Sequence, residues 1–313
     1  MINRFILEIR YTTIRYVIKT DIRDYRRATV ALGIIALVLF LGLLVIGEMA
    51  MDTEKSTDEI STDCDMVNAL GVAQGTIQED LSGIDSIVTT GAIGIGRSGP
   101  DGDQAIGILS GMSSSGPAAI DAITADLNGT IVAIRPDRYK SVIGANIYNQ
   151  THIRRLYEQR VPVMSDLFMT VEGFPAVDIA SPVFSPGGKF IGITTLLISP
   201  GSLLERDLTK QEGEVPWDTW VVQRDGTLLY SSDGEPAGKN IVNDPGLMKY
   251  PELAHLSGTI TTEWQGTMTD TFTDVPGNTV TKHIVWTTVG IRGTEWRLVF
   301  SRAIANPPEI TDI

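Results

Sequence analysis

The chain has 313 residues, a formal net charge of −13, one cysteine and 42% hydrophobic residues. That acidity argues against nucleic acid or an anionic lipid surface as a partner, and the lone Cys64 excludes an intrachain disulfide framework. The length beyond any targeting segment is enough for one large domain or two small ones.

Residues 1–27 hold seven Lys/Arg and three acids, a side-chain charge of +4. Ile2, Phe5, Ile6, Ile9, Thr13, Tyr16 and Val17 approximate helical spacing, with Arg4, Arg10, Arg15 and Lys19 between them. Two readings stay open: an amphipathic helix on a leaflet, or a plain basic topogenic tail. Ala28 to Gly47 then runs for 20 residues without a charge. At about 1.5 Å rise this is about 30 Å of helix, the thickness of a hydrocarbon core, so residues 28–47 are predicted to form one transmembrane helix. The basic flank places residues 1–27 in the cytoplasm and the remainder, with a charge of −17, outside. A cleaved signal peptide fits less well. Its apolar core is about 7–15 residues, and the best cut here, after Glu48-Met49-Ala50, has a carboxylate where a small residue belongs.

From Asp52 to Thr90, Ile60, Cys64, Val67, Leu70, Ile77, Leu81, Ile84 and Val88 recur mostly at threes and fours among polar residues. This predicts a long helix leaving the membrane, a stalk over 48–95. Its stripe serves either pairing with a second copy or packing on its own domain. Cys64 reads as a small apolar residue on that stripe. Gly91–Gly102 is expected to be a flexible connection, because GAIGIG lacks the spacing and the Lys-Ser/Thr of a nucleotide loop.

The remainder is β-rich. Ala118–Leu127 and Thr130–Arg135 flank Asn128-Gly129, the strongest short-range hairpin signal. Phe174–Phe184 and Lys189–Ile198 flank Ser185-Pro186-Gly187-Gly188, and Leu203–Thr209 reads as a helix. Thr219–Gln223 and Thr227–Ser231 flank Asp225-Gly226, followed by strands expected at Gly258–Gln265, Thr267–Thr273, Val280–Val289 and Glu295–Ser301. Two motifs recur in one order. Asn128-Gly129-Thr130 and Gly144-Ala145-Asn146-Ile147 reappear as Asp225-Gly226-Thr227 and Gly238-Lys239-Asn240-Ile241, at offsets of 97 and 94. That order points to a duplicated αβ module.

These segments resemble the double Cache family, the PAS-like extracellular sensor modules of bacterial and archaeal receptors. The resemblance covers about residues 50–303 and rests on the long helix after the span, DLNGTIVAIRP, IGANI, RVPVMSDLF, VDIASPVFSPGGKFIGITTLLIS, VVQRDGTLLYSSDGEPAGKNI and EWRLVFSR. It implies an α+β fold of two antiparallel-sheet modules, membrane-distal (96–210) and membrane-proximal (211–304), followed by a tail at 305–313. It places a small ligand between the distal sheet and the segment at about 144–172. Amino-acid-binding members carry Arg-x-Trp-Tyr there and an Asp later. This chain has Gln150-Thr151-His152-Ile153 and Thr170, so that chemistry is not carried over.

The candidate ligand-binding residues are Tyr148, His152, Arg155 and Tyr157 after Gly144, Asp166, Phe168 and Thr170 in the next segment, and Asp178 inside an apolar strand. A buried carboxylate in such a strand needs a hydrogen bond or a cation. Arg155 reads first as part of a solvated helix face with Arg154 and Glu158, and only second as a pocket group. Trp217, Trp220, Trp264, Trp286 and Trp296 read as proximal core, with sugar stacking as the alternative. Asn128 and Asn149 match the N-glycosylation acceptor pattern. His152, His255 and His283 are not at metal-ligand spacing, and no nucleophile motif appears, so no enzyme, metal or cofactor is expected. The expectation is a membrane-anchored extracellular small-molecule sensor with no output domain of its own. It would act through a membrane partner with signalling output and pair through its stalk. The alternative is a cell-surface structural or complex subunit using the fold as an interaction or spacer module.

Overall fold

The computed structural model describes residues 62–209, 217–244, 251–273 and 279–304. The predicted span at 28–47, the basic segment before it and the tail at 305–313 lie outside these residues. Among the described residues no helix is long and apolar enough to cross a membrane. Cys64–Ile313 forms one compact unit.

Helix α1 occupies residues 62–98 and is the spine of this unit. Met66, Leu70, Ala73, Ile77, Leu81, Val88, Ala92 and Ile95 are its buried face. The first turns differ from the predicted stripe: Cys64 is exposed and Val67 is 51% exposed, while Met66 and, farther along, Ala73 turn inward. The stretch expected to be a loop at Gly91 is helix as far as residue 98. Its glycines serve close packing. A Cβ on Gly96 would stand 2.1 Å from the Phe184 carbonyl oxygen, and one on Gly94 would stand 2.7 Å from the Ile108 side chain. Ile108 belongs to α2 (Asp103–Ser113), an element not foreseen.

The distal sheet has the order β2-β1-β6-β5-β3, built from β1 (Ala119–Ala125), β2 (Ile131–Arg135), β3 (Val163–Met164), β5 (Pro175–Phe184) and β6 (Phe190–Ile198). The short β4 (Phe168–Met169) pairs with the start of β5. Alternation along the strands sorts side chains to two faces. Ala122, Val177, Ile179, Leu196 and Ile198 pack on α1 and α2. Ile123, Ile131, Ala180 and Ile193 face the other way, under Ile153, Leu156 and Tyr157 of α3 (Thr151–Gln159).

After α4 (Pro200–Thr209) comes the proximal sheet, in the order β8-β7-β11-β10-β9. Its strands are β7 (Asp218–Gln223), β8 (Leu228–Ser231), β9 (Gly266–Thr273), β10 (Thr279–Ile291) and β11 (Thr294–Ala303). Trp296, Leu298 and Phe300 face α1, and Val299 faces α5 (Pro251–Thr262) with Leu256 and Ile260. The β-branched run at 258–262, read as a strand, is thus helical. Leu256 and Ile260 sit one turn apart on the sheet, and the Thr259, Thr261 and Thr262 hydroxyls donate to carbonyls one turn back. Buried Arg297 donates through Nε to the carbonyls of Ile260 and Glu263, tying the helix end to β11. Of the tryptophans, Trp286 and Trp296 are core, Trp217 stacks on Phe300 at 5.6 Å, and Trp264 is 65% exposed.

The two modules repeat each other at their first hairpins and the Gly–x–Asn motifs that follow. Gly129 and Gly226 sit at φ +79° and +86°, and Gly144 and Gly238 at +92° and +93°, a region open chiefly to glycine. Gly144 N–H donates to Ile131 O and Gly238 N–H to Leu228 O. Asn146 Nδ2 donates to Asn128 O at 2.7 Å and Asn240 Nδ2 to Asp225 O at 2.8 Å. The offset of 97 holds through the hairpin register: Ala125 opposite Ile131 becomes Val222 opposite Leu228.

Candidate functional site

A cleft of about 280 Å³ lies on the distal sheet's face away from α1. Its floor is Asp121 and Ile123 of β1, Thr195 and Leu197 of β6 and Asp178 of β5. Ile131, Ile147, Gln150, Phe168, Thr170, Val171 and Glu172 wall and roof it. Register brings the two aspartates together, because Asp121 and Asp178 both stand opposite Leu197 on the strands either side of β6.

Asp178 is buried and held from two sides. Its backbone N–H donates to Ser165 Oγ at 2.8 Å, and its Oδ2 lies 3.1 Å from His152 Nε2 of α3. The His152 ring leans on Phe168, centroids 4.7 Å apart. Asp178 Oδ1, both carboxylate oxygens of Asp121, Thr170 Oγ1 and Glu172 Oε2 are buried without a hydrogen-bond partner. Burial first, then the charges of Glu172 and Asp178, push the Asp121 carboxyl up to about 8, with Arg138 opposing.

Of the sequence-predicted residues, Phe168, Thr170 and Asp178 line the cleft, and His152 backs it through Asp178. The others are not brought to it. Tyr157 is buried in the second core, its hydroxyl donating to the Asp126 carbonyl and its ring 5.4 Å from that of Tyr148. Arg155 is half-buried and reaches the Met164 carbonyl at 3.4 Å. Asp166 is exposed, as are Asn128 and Asn149. Sequence reasoning missed Asp121 and Glu172. Asp121 carried the same signal as Asp178, one acid in an apolar strand run, but the Asn-Gly hairpin drew that run into the strand reading alone.

The wall of the cleft is also the joint between modules. Leu167 N–H, beside Phe168, donates to Gln223 Oε1 of β7 at 2.5 Å, and Thr294 Oγ1 of β11 donates to the Met164 carbonyl at 2.7 Å. α1 joins both sheets: Gln78 bonds both backbone groups of Gly290, and Asp85 takes Arg292 through both oxygens at 2.9 and 2.6 Å. A roomier cleft of about 810 Å³ lies under α5 in the proximal module, between Trp220, Val222, Leu256 and Ile260. Polar groups at its edge satisfy one another, Ser231 with Asp233 and Lys239 with Glu235, so nothing there calls for a polar ligand.

Residues 79–200 match the family model described as HK/GC/Chemotaxis protein-like, sensor domain. Among solved structures the chain is similar to an extracellular ligand binding receptor from Desulfohalobium retbaense. The identity is 30% and the TM-score 0.61, over 74% of this chain and 39% of that one, so it spans well under half of that receptor. It is similar to the ligand-binding domain of the Pseudomonas fluorescens chemoreceptor CtaA in complex with L-isoleucine, at 16% identity and TM-score 0.58, over 80% and 96% of the two chains. It is similar to the ligand binding domain of the Pseudomonas aeruginosa amino acid chemoreceptor PctB in complex with L-Arg, at 15% identity and TM-score 0.55, over 75% and 92%. A search of curated proteins finds no match. The last two likenesses concern the fold, and the fold is that of Cache-type sensor domains, as the sequence resemblance implies.

Proposed function

We propose that this protein is a membrane-anchored extracellular sensor of double Cache type that binds a small molecule in the distal cleft. It passes occupancy to a membrane partner with signalling output, as a dimer joined through α1. One observation carries the reading: the cleft gathers buried polar atoms that no protein group satisfies, and native folds rarely leave such atoms without a function. Signal transfer follows from the joint. Phe168 and Thr170 touch the cleft, and Leu167, next to Phe168, is bonded to the proximal module. A ligand that pulls this wall inward must favour one arrangement of the joint, since equal affinity for both shifts nothing. The relatives' sensor domains support this reading.

The test is a thermal-shift screen of the detergent-solubilised full chain against amines, carboxylates, purines and sugars. Saturable stabilisation by one class, weakened by Phe168→Ala, is expected. Stabilisation indifferent to every cleft substitution refutes the site. For topology, exposed Cys64 should react on intact cells with a membrane-impermeant maleimide. Labelling only after lysis refutes the outward orientation.

A further inference from the structure

The duplication supplies an internal comparison for Asp121. Shifted by 97, Asp121 becomes Asp218, since the two hairpins share register down to the bulge. In the proximal copy that aspartate is answered by the protein itself, with Lys282 Nζ at 2.6 Å from its Oδ2. In the distal copy the facing strand brings Asp178 instead, and no lysine or arginine lines the cleft. Arg138, whose positive charge acts on Asp121, lies over the Tyr139 ring, 4.9 Å from its centroid.

Every unmet charged group in the cleft is a carboxylate. Asp121 is 0% exposed with two unpartnered oxygens, Asp178 is 2% exposed with one, and Glu172 has one at the rim. When ionised, these carboxylates only accept hydrogen bonds, so the group that completes them is a donor and, with three acids lining one cleft, a cation. Hydrocarbon surrounds the acids: Ile123 and Leu197 beside them on the floor, Ile131 and Ile147 on the walls. Among the described residues no three His, Cys, Asp or Glu side chains are grouped to share a metal ion. Two strand spacings put Asp121 and Asp178 roughly 10 Å apart at Cα, a gap that suits an ammonium with splayed N–H groups. A free α-amino acid fits poorly, because its carboxylate would meet three acids and no guanidinium or ammonium.

Resting on the distal cleft being the ligand site, we infer that its ligand is a compact primary amine, bound as the ammonium. Its N–H groups go to Asp121, Asp178 and Glu172, and its hydrocarbon body lies on Leu197 and the isoleucines. The space free between these walls is slight, so the amine is small. Binding also moves a proton. Asp121, held up to about 8 by burial, Glu172 and Asp178 against Arg138, carries a proton at neutral pH in the empty cleft and loses it to solvent as the ammonium enters. His152, the remaining titratable group of the roof, is turned to Asp178.

The experiment is calorimetric titration of the full chain in detergent with n-butylamine, phenethylamine and 1,4-diaminobutane, beside 1-butanol, sodium butyrate, calcium chloride and L-isoleucine. At least one amine is expected to bind saturably, with affinity rising up to about tenfold per pH unit between pH 6 and 8. Asp121→Asn and Asp178→Asn, near-isosteric, should each weaken it by about tenfold or more. Glu158→Gln, which removes an exposed carboxylate outside the cleft, should leave it within about threefold. The inference is overturned if no amine binds, if an amine binds equally well to both Asn variants, or if affinity is flat from pH 6 to 8. Butanol, butyrate, calcium or isoleucine binding in a cleft-dependent way without any amine also overturns it, while leaving the sensor reading in place. Loss of both readings shows as indifference of every compound to every cleft variant.

Discussion

Asp121→Asn in the empty protein should raise stability, by an amount that depends on pH. The carboxyl is fully buried, and its pKa is raised from 3.8 to about 8. A group whose pKa is raised by folding holds its proton more tightly in the native than in the unfolded chain. Native stability is therefore fullest below 3.8 and is drawn down as pH climbs through the window to about 8. Neutral pH lies roughly three units into that window. At about 1.4 kcal/mol per unit, the aspartate costs the empty protein on the order of 4 kcal/mol at pH 7 relative to pH 4. A carboxamide has nothing to ionise, and its N–H groups can donate to Asp178 or Glu172. For a unit of this size about 1 kcal/mol moves Tm by about 2–4 °C, so the variant should melt on the order of 10 °C above the parent at pH 7. Scanning fluorimetry of both full chains at pH 4.5, 6, 7, 8 and 9 reads it directly. The gap should widen up to about pH 8 and then stay level. A gap that is constant with pH, or a variant less stable at pH 8, would refute the claim that this carboxylate is buried without a partner.

Other outcomes follow from the packing. Gly96→Ala should lower Tm strongly, costing several kcal/mol because its Cβ meets the Phe184 carbonyl. Gly71→Ala, with nothing within 4 Å of the new Cβ, should stabilise α1 by about 0.5–1 kcal/mol in the same melts. Asn146→Ala and Asn240→Ala remove equivalent bonds in the two copies, and each should cost about 1–3 kcal/mol by denaturant titration. A large effect in one copy and none in the other would contradict the equivalence. Gln223→Leu with Thr294→Val should cut the joint and raise hydrogen exchange at residues 163–170 while leaving exchange in β9 unchanged.

Much of the fold is legible in local chemistry. Asn128-Gly129 and Asp225-Gly226 specify their turns because glycine alone enters positive φ freely. The Gly–x–Asn pairs that follow them reveal the duplication because each asparagine ties its own turn. Errors fall where a neighbour overrides local preference. Gly258–Thr262 has strand composition, yet it is helical because Leu256 and Ile260 must both reach the proximal sheet. Gly91–Gly96 looks like a flexible connection, yet it is helix because α2 and β5 press so close that no side chain fits.

The site divides along the same line. The sequence shows Asp178 as a lone acid in an apolar strand run, and the family resemblance adds that His152 and Phe168 stand in the segment expected to fold over the distal sheet and that the amino-acid-binding residues are missing. Only the tertiary structure decided that Asp121 lies across Leu197 from Asp178 with no protein cation between them, while its copy Asp218 has Lys282. Strand register is a long-range property. It is set by which faces of β1, β5 and β6 bury together, and a single strand's pattern carries no record of what its neighbour places opposite.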